Sequence, residues 1–180
     1  MQSPTPSDAS AHGRTREEEP LGVPLTDELA LVVAGARRRA VRDGDRQIDT
    51  AHLLHSLLET DPEVRDAFAD GGQVAKLLGY LVQRSIGYGL QWQGAVEDSG
   101  AVPVVRGAPG WSPVAAAAME AGAERAVLRG DGPARGVDVL AALADDVECR
   151  AVEVLGRAGV DVGQLRQRLD PSHDGCGSIW

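Results

Sequence analysis

Apolar residues recur every three or four positions along the chain from residue 25 onwards, which is the spacing of one face of a helix. In the first such stretch, Thr26 is a good N-cap and Gly44 is a good C-terminal stop, so a helix is predicted between them. The apolar face of this helix consists of Leu29, Val33, Ala36 and Ala40.

Three shorter helices are predicted after the first one. Asp49 or Thr50 caps a second helix that carries a run of leucines, and Asp61 caps a third. A pair of glycines separates the third helix from a fourth, which again has apolar residues at helical spacing. Four helices therefore occupy the first part of the chain, from residue 25 to about residue 86.

The chain is a tandem repeat. Residues 25–58 recur without a gap about 86 residues further on, as residues 111–144. The second copy is therefore expected to fold like the first. The clearest matches are Arg39-Ala40-Val41 with Arg125-Ala126-Val127, Gly44-Asp45 with Gly130-Asp131, and Leu54 and Leu57 with Leu140 and Leu143.

The second copy begins with a stronger helix signal than the first, because Ser112 at the N-cap is followed directly by Pro113. After this fifth helix, a sixth is predicted from about 136 to 144, a seventh from about 146 to 155 and an eighth from about 161 to 169. The predicted fold class is all-α, with eight helices in two tandem four-helix repeats.

Segments without helical periodicity set the expected domain boundaries. Residues 1–22 are rich in Ser, Thr, Pro and Glu and are predicted to be a disordered tail. The double-repeat domain is expected to span residues 23–170, with repeats at about 25–86 and 111–170. A Gly-rich linker at residues 87–110 is expected to be irregular, and residues 171–180 to be a flexible tail.

Composition narrows the classes of function. The net charge of −9 opposes binding to nucleic acid or to anionic membranes and leaves room for basic or peptide partners. The first residues lack the apolar core of a signal peptide, and no stretch is long and apolar enough to span a bilayer. Two cysteines are too few for a disulfide framework, so a cytoplasmic protein is expected, with the oligomeric state open and a monomer favoured.

Catalytic motifs are not found in the sequence. The chain has no phosphate-binding loop, no nucleophile elbow and no recognisable triad spacing, so neither an enzyme nor a bound cofactor is expected. His52 and His55 lie one helical turn apart and could share a metal, but no third ligand is evident. We expect one of these histidines to be packed in the core and the other to be exposed, with no metal bound.

The two copies resemble the N-terminal repeat domain of Clp-type AAA+ unfoldases. The resemblance is carried by Leu25-Thr26 and Trp111-Ser112-Pro113 at the repeat starts, by Thr50-Ala51-His52-Leu53-Leu54, and more weakly by Gly136-Val137-Asp138-Val139-Leu140. It implies a pseudo-twofold domain of eight helices that binds substrates, adaptors or peptide-like ligands and has no catalytic activity. Because no ATPase motif follows, it implies a free-standing version of that domain.

Some members of that family recognise phosphoarginine through a glutamate in each repeat. The two matching positions here are Ala51 and Val137, which have no carboxylate to pair with a guanidinium. Asp49 and Asp138 are the nearest carboxylates, but a shift along a helix directs a side chain elsewhere. Phosphoarginine recognition is therefore not expected from these residues.

The resemblance places a ligand groove at the repeat starts, so we expect binding to centre on Leu25, Thr26, Trp111 and Ser112. Ala30 and Ala116 stand where the family often has basic residues, which leaves Trp111 as the largest apolar group. The same tryptophan could instead pack against the first turn of the fifth helix as a hydrophobic staple. Both alternatives stay open.

Three hypotheses of function follow. In the first, the protein captures a peptide, protein substrate, adaptor or cyclic-peptide natural product and delivers it to a Clp unfoldase or withholds it from one. In the second, the fold serves as an interaction module for a partner outside the Clp system. In the third, the folded body presents the C-terminal sequence GCGSIW for modification.

Overall fold

A computed structural model describes residues 24–85, 97, 110–130 and 132–170. The predicted disorder of residues 1–22 and 171–180, and most of the linker predicted at residues 87–110, lie outside these described residues. No helix among them is long and apolar enough to cross a membrane.

The described residues form eight α-helices, and the all-α prediction is confirmed. The only β-type pairing among them consists of two isolated bridges. The helices are α1 (Asp27–Asp43), α2 (Thr50–Thr60), α3 (Pro62–Asp66), α4 (Gly71–Ser85), α5 (Pro113–Arg129), α6 (Gly136–Asp145), α7 (Arg150–Arg157) and α8 (Val162–Leu169).

The first helix of each repeat begins and ends in the same way. The Thr26 hydroxyl accepts a hydrogen bond from the Leu29 amide at 3.2 Å, and the Ser112 hydroxyl accepts one from the Ala115 amide at 3.1 Å. Gly44 and Gly130 end the two helices with φ of 73° each, a left-handed conformation that glycine adopts without strain. The predicted boundaries at Thr26, Gly44 and Ser112 are confirmed, and Gly130 ends the fifth helix as its repeat partner Gly44 ends the first.

The seventh helix begins later than predicted. It starts at Arg150 instead of about residue 146, because Asp146 forms a turn of its own. The Asp146 carboxylate accepts a hydrogen bond from the Glu148 amide at 3.1 Å, and its carbonyl accepts one from the Cys149 amide at 3.2 Å. Asp146, from which the sequence predicted the start of the helix, therefore stabilises the turn before it.

The two repeats exchange their pairing. Leu25 at the start of the first repeat forms a bridge with Ala134, which precedes α6, and Ile48, which precedes α2, forms one with Trp111 at the start of the second repeat. The offset that relates the repeats in sequence converts one of these bridges into the other. Likewise α2 packs on α7 and α6 packs on α3. The arrangement is a pseudo-twofold one.

Helix α2 lies at the centre of the core. All its residues from Thr50 to Leu58 are buried, which leaves only its last turn in contact with solvent. His52 and His55 are 2% and 3% exposed, so the expectation that one of them would be exposed is wrong. Six of the other seven described helices pack against α2, namely α1, α3, α4, α5, α6 and α7.

Glycine permits the close contact between α1 and α2. A Cβ atom at Gly35 would overlap Ser56 Oγ, which donates a hydrogen bond to the Val32 carbonyl at 2.7 Å. In the second repeat the close contact lies one position further along the helix, where a Cβ at Gly122 would lie 2.9 Å from Val139 Cγ2. Small residues thus bring the first two helices of each repeat together.

Candidate functional site

An apolar cavity of about 290 Å³ lies between α5 and α6. Alanine side chains from both helices form part of its wall, and Val114, Leu143, Thr50 and Cys149 add to it. Asp145 and Asp146 add the acidic part of the lining. The alanines are Ala117, Ala118, Ala121 and Ala142. A cavity of this volume is at the small end of the range for ligand pockets and fits a single side chain.

Two of the lining side chains are shorter than those at the matching positions of the first repeat. Ala117 and Ala118 stand where the first repeat has Leu31 and Val32. Val32 is completely buried, whereas Leu31 is 57% exposed, so Val32 is the one of the two that packs in the interior. Removing such side chains without a compensating shift leaves a void that the surrounding structure cannot fully close.

A buried carboxylate lies beside this cavity. Glu97 is 6% exposed, and each of its two oxygens accepts two hydrogen bonds. One oxygen accepts from the Thr50 amide at 2.9 Å and the Ser112 hydroxyl at 3.1 Å. The other accepts from the Thr50 hydroxyl and from the Arg150 amide at 2.9 Å. We call the four donors the carboxylate cradle.

Three helix N-termini form the carboxylate cradle, because Thr50 opens α2, Ser112 caps α5 and Arg150 opens α7. The partial positive charge at a helix N-terminus stabilises an anion, and here three such ends converge on one carboxylate. The arrangement satisfies amides that would otherwise be buried without partners.

A second charged network lies next to the cradle. Asp49 accepts a hydrogen bond from the His52 amide at 2.9 Å, and its other oxygen contacts Arg84 and, at 2.7 Å, Arg150. Burial alone would raise the pKa of Asp49, but the hydrogen bonds with His52 and the charge of Arg84 outweigh it and hold the pKa below its usual range. The network ties α2 to α4 and α7.

Asp45, Asp49 and His52 place possible metal-ligating atoms within 4.8 Å of one another. The Asp49 amide donates a hydrogen bond to His52 Nδ1 at 3.1 Å, so the other ring nitrogen, Nε2, is the one that faces the remaining carboxylate. That nitrogen lies 3.2 Å from Asp45 Oδ2. Because Arg84 already contacts both carboxylates, the cluster fits a balanced charge network better than a cation site.

The four residues at the centre of the predicted ligand surface are all at least partly buried. Leu25 and Thr26 are half-buried, whereas Trp111 and Ser112 are 4% and 0% exposed. The indole packs in the core, and the Ser112 hydroxyl is engaged by Glu97. A ligand at this surface would therefore meet the edges of these residues and not an open indole face.

Four of the six remaining predicted positions are buried. Ala30 is exposed and Val137 is half-buried, while Ala116 and Ala51 are buried. Asp138 accepts a hydrogen bond from the Arg135 amide at 2.9 Å and contacts Arg129. Asp49 and Asp138 therefore serve helix capping and internal ion pairs, and ligand binding at these ten positions stays a prediction.

Sequence reasoning missed both the cavity and the cradle. The run of alanines from Ala115 to Ala118 is visible in the sequence, but its periodicity does not show that the space beside two of them is empty. Glu97 lies in a segment without periodicity and gives no local signal. A position-by-position comparison of the two repeats would have given one signal, because Ala117 and Ala118 stand where the first repeat has the larger Leu31 and Val32.

The described residues form two four-helix repeats whose starts exchange their pairing. The crystal structure of the Hsp104 N-terminal domain from Candida albicans matches this chain with a TM-score of 0.60 and 15% sequence identity. The match covers 84% of this chain and 93% of that chain, so the two share a fold over most of their length. No protein-family model and no curated protein matches the chain by sequence.

Proposed function

We propose that the protein is a non-catalytic binding module that captures an extended peptide segment by one small aliphatic side chain, which enters the cavity between α5 and α6. The observation that carries this proposal is the cavity itself, about 290 Å³ with an apolar wall of alanines. Burying an aliphatic side chain contributes roughly 1.5 to 3 kcal/mol, which is enough to select one segment from many.

Charge supports a peptide or protein as the ligand. Asp145 and Asp146 lie in the cavity lining, and the chain carries a net charge of −9. Asp145 is balanced by Arg125 at 3.7 Å and Arg166 at 3.3 Å. A basic residue in the peptide next to its aliphatic side chain would therefore meet Asp146 first, and nucleic acid or anionic lipid would be repelled.

Filling the cavity tests the proposal. The variant Ala117→Leu/Ala118→Val introduces the side chains that the first repeat carries at these positions. Binding of fluorescein-labelled casein, an unfolded protein, is measured by anisotropy. We expect the filled variant to bind roughly 10- to 100-fold more weakly than the wild type, since it loses the burial of one aliphatic side chain.

The matched control is Ala75→Leu, which adds an apolar side chain at an exposed position of α4 and should leave binding unchanged. Thermal unfolding of each variant confirms that it is folded under the assay conditions. If the filled variant binds casein as well as the wild type does, the cavity is not the binding site.

We further propose that the captured segment belongs to a client of a Clp protease, which the protein delivers or withholds. The fold supports this, since it is that of an Hsp104 N-terminal domain. Titration into a reconstituted Clp protease assay should change the rate of casein degradation, and the filled variant should not. Ala51 and Val137 favour the alternative of a partner outside the Clp system, in which case the titration has no effect.

A further inference from the structure

The carboxylate that caps the N-terminus of α7 comes from outside the helices that form the cradle. In the first repeat, the N-cap of α3 is Asp61, whose carboxylate accepts a hydrogen bond from the Glu63 amide at 2.9 Å. In the second repeat, the N-cap of α7 is Cys149, which makes no capping hydrogen bond. Its thiol donates to the Leu143 carbonyl at 3.4 Å instead. The capping carboxylate for α7 is therefore supplied by Glu97.

The cradle is held in place by contacts that do not involve Glu97. The Thr50 hydroxyl accepts a hydrogen bond from the Ala151 amide at 3.1 Å, and the Ser112 hydroxyl accepts one from the Ala115 amide. The Ser112 amide donates to the Ile48 carbonyl at 2.8 Å, which joins the start of α5 to the start of α2. The donors are thus preorganised for a carboxylate, whichever molecule supplies it.

The cradle and the cavity share a wall. Thr50 lines the cavity and also donates twice to Glu97. Cys149, which lines the cavity, directly precedes Arg150, and Val114 follows Ser112 by two positions. The carboxylate cradle and the cavity are therefore adjacent, and Thr50 belongs to both.

We propose that the cradle is a carboxylate-binding site that Glu97 occupies in cis, and that its ligand in trans is the C-terminal carboxylate of a peptide whose last side chain is small and aliphatic. This inference rests on the proposed function, because it uses the same cavity. When a ligand carboxylate takes the place of the Glu97 carboxylate, the charge within the cradle stays the same. The electrostatic environment of the neighbouring Asp49 network is then unchanged.

Removal of the cis carboxylate tests the site. In Glu97→Ala, the thermal midpoint should fall, and sodium isovalerate, a carboxylate with a branched aliphatic body, should restore it. Half-maximal restoration should need an at least tenfold lower concentration of isovalerate than of acetate, since only isovalerate fills the cavity. Sodium chloride at equal ionic strength and the neutral isovaleramide should have no such effect.

Two further variants separate the cradle from the cavity. Glu97→Ala combined with Ala117→Leu/Ala118→Val should still respond to acetate but lose its preference for isovalerate. Asp61→Ala is the matched control, because it removes a buried N-cap carboxylate from the first repeat at a residue outside the cavity lining. It should show no preference for isovalerate over acetate.

The peptide acetyl-Arg-Gly-Val, with either a free acid or an amide at its C-terminus, tests the ligand class directly. The free acid should bind Glu97→Ala at least tenfold more tightly than the amide does. An equal response of Glu97→Ala to isovalerate, isovaleramide and sodium chloride would overturn the carboxylate site. That result would leave the proposed function intact if cavity filling still abolishes casein binding.

An equal effect of acetate and isovalerate would overturn the link between cradle and cavity. If Glu97→Ala does not fold in plain buffer, the same compounds are added during refolding from urea. Recovery of helical circular dichroism with isovalerate but not with isovaleramide supports the site, and absence of recovery with either carboxylate contradicts it.

Discussion

Replacement of Gly35 by alanine probes the contact that brings α1 and α2 together. The new Cβ would overlap Ser56 Oγ, which is buried and hydrogen-bonded to the Val32 carbonyl. Overpacking of this kind costs roughly 1 to 3 kcal/mol. Alanine is more favourable than glycine inside a helix by roughly 0.5 to 1 kcal/mol, which offsets part of that cost. We expect Gly35→Ala to lower the free energy of unfolding by about 1 to 2 kcal/mol.

The second repeat shows how the same space accommodates alanine. Its residues at the two matching positions are Ala121 and Ala142. Ser56→Ala alone should cost about 0.5 to 1.5 kcal/mol, because a buried hydrogen bond is lost. In that background the overlap disappears, so adding Gly35→Ala should be neutral or stabilising. The double variant should therefore be more stable than the sum of the single effects by about 2 kcal/mol.

Urea unfolding followed by circular dichroism gives the free energy for all four proteins of this cycle. Gly79→Ala on α4 is the matched control, since a Cβ there meets no atom within 4 Å, and it should raise the free energy of unfolding by roughly 0.5 to 1 kcal/mol. If the two core substitutions are additive to within about 0.5 kcal/mol, the close contact between α1 and α2 is not the constraint described here.

Three further predictions concern buried groups. Burial and the charge of Arg39 lower the pKa of His55 from 6.5 to about 4, so the unfolded chain binds a proton between these values that the folded chain does not. Stability should fall by up to about 3 kcal/mol as the pH drops from 6.5 to 4, and His55→Leu should lose most of that slope in urea unfolding. Burial raises the pKa of the Cys149 thiol to about 11, so in a Cys176→Ser variant iodoacetamide at about pH 8 should modify it no faster than the chain unfolds. Trp111→Ala should lower the free energy of unfolding by about 3 to 5 kcal/mol because the indole is 4% exposed; unchanged stability with weakened peptide binding would instead place the indole in a ligand site.

Local signals in the sequence were sufficient to predict the helices. Thr26, Ser112, Gly44 and Gly130 act within one turn of their own positions, and each does in the structure what its side chain or backbone freedom favours. The turn at Asp146 shows the limit of this reasoning, because the same residue type favours an N-cap and a free-standing turn equally.

Features that depend on contacts between distant parts of the chain could not be predicted in this way. His55 is buried by helices from elsewhere in the fold, although its spacing from His52 gives no sign of it. Glu97 acts through partners that lie 15, 47 and 53 positions away along the chain. The burial of Trp111 likewise follows from its bridge with Ile48, a residue of the other repeat.

The exchanged bridges, Leu25 with Ala134 and Ile48 with Trp111, have a consequence for the origin of the protein. Two separate copies of a single repeat would make the same contacts as a symmetric dimer, since each start would pair with the other copy. In such a dimer one gene encodes both halves. A substitution that shortened a buried side chain would therefore open a cavity in both halves, and the dimer would lose stability at two places. Covalent fusion removes that restriction. The chain keeps the buried Val32 in one half and has Ala118 in the other, where it lines the cavity.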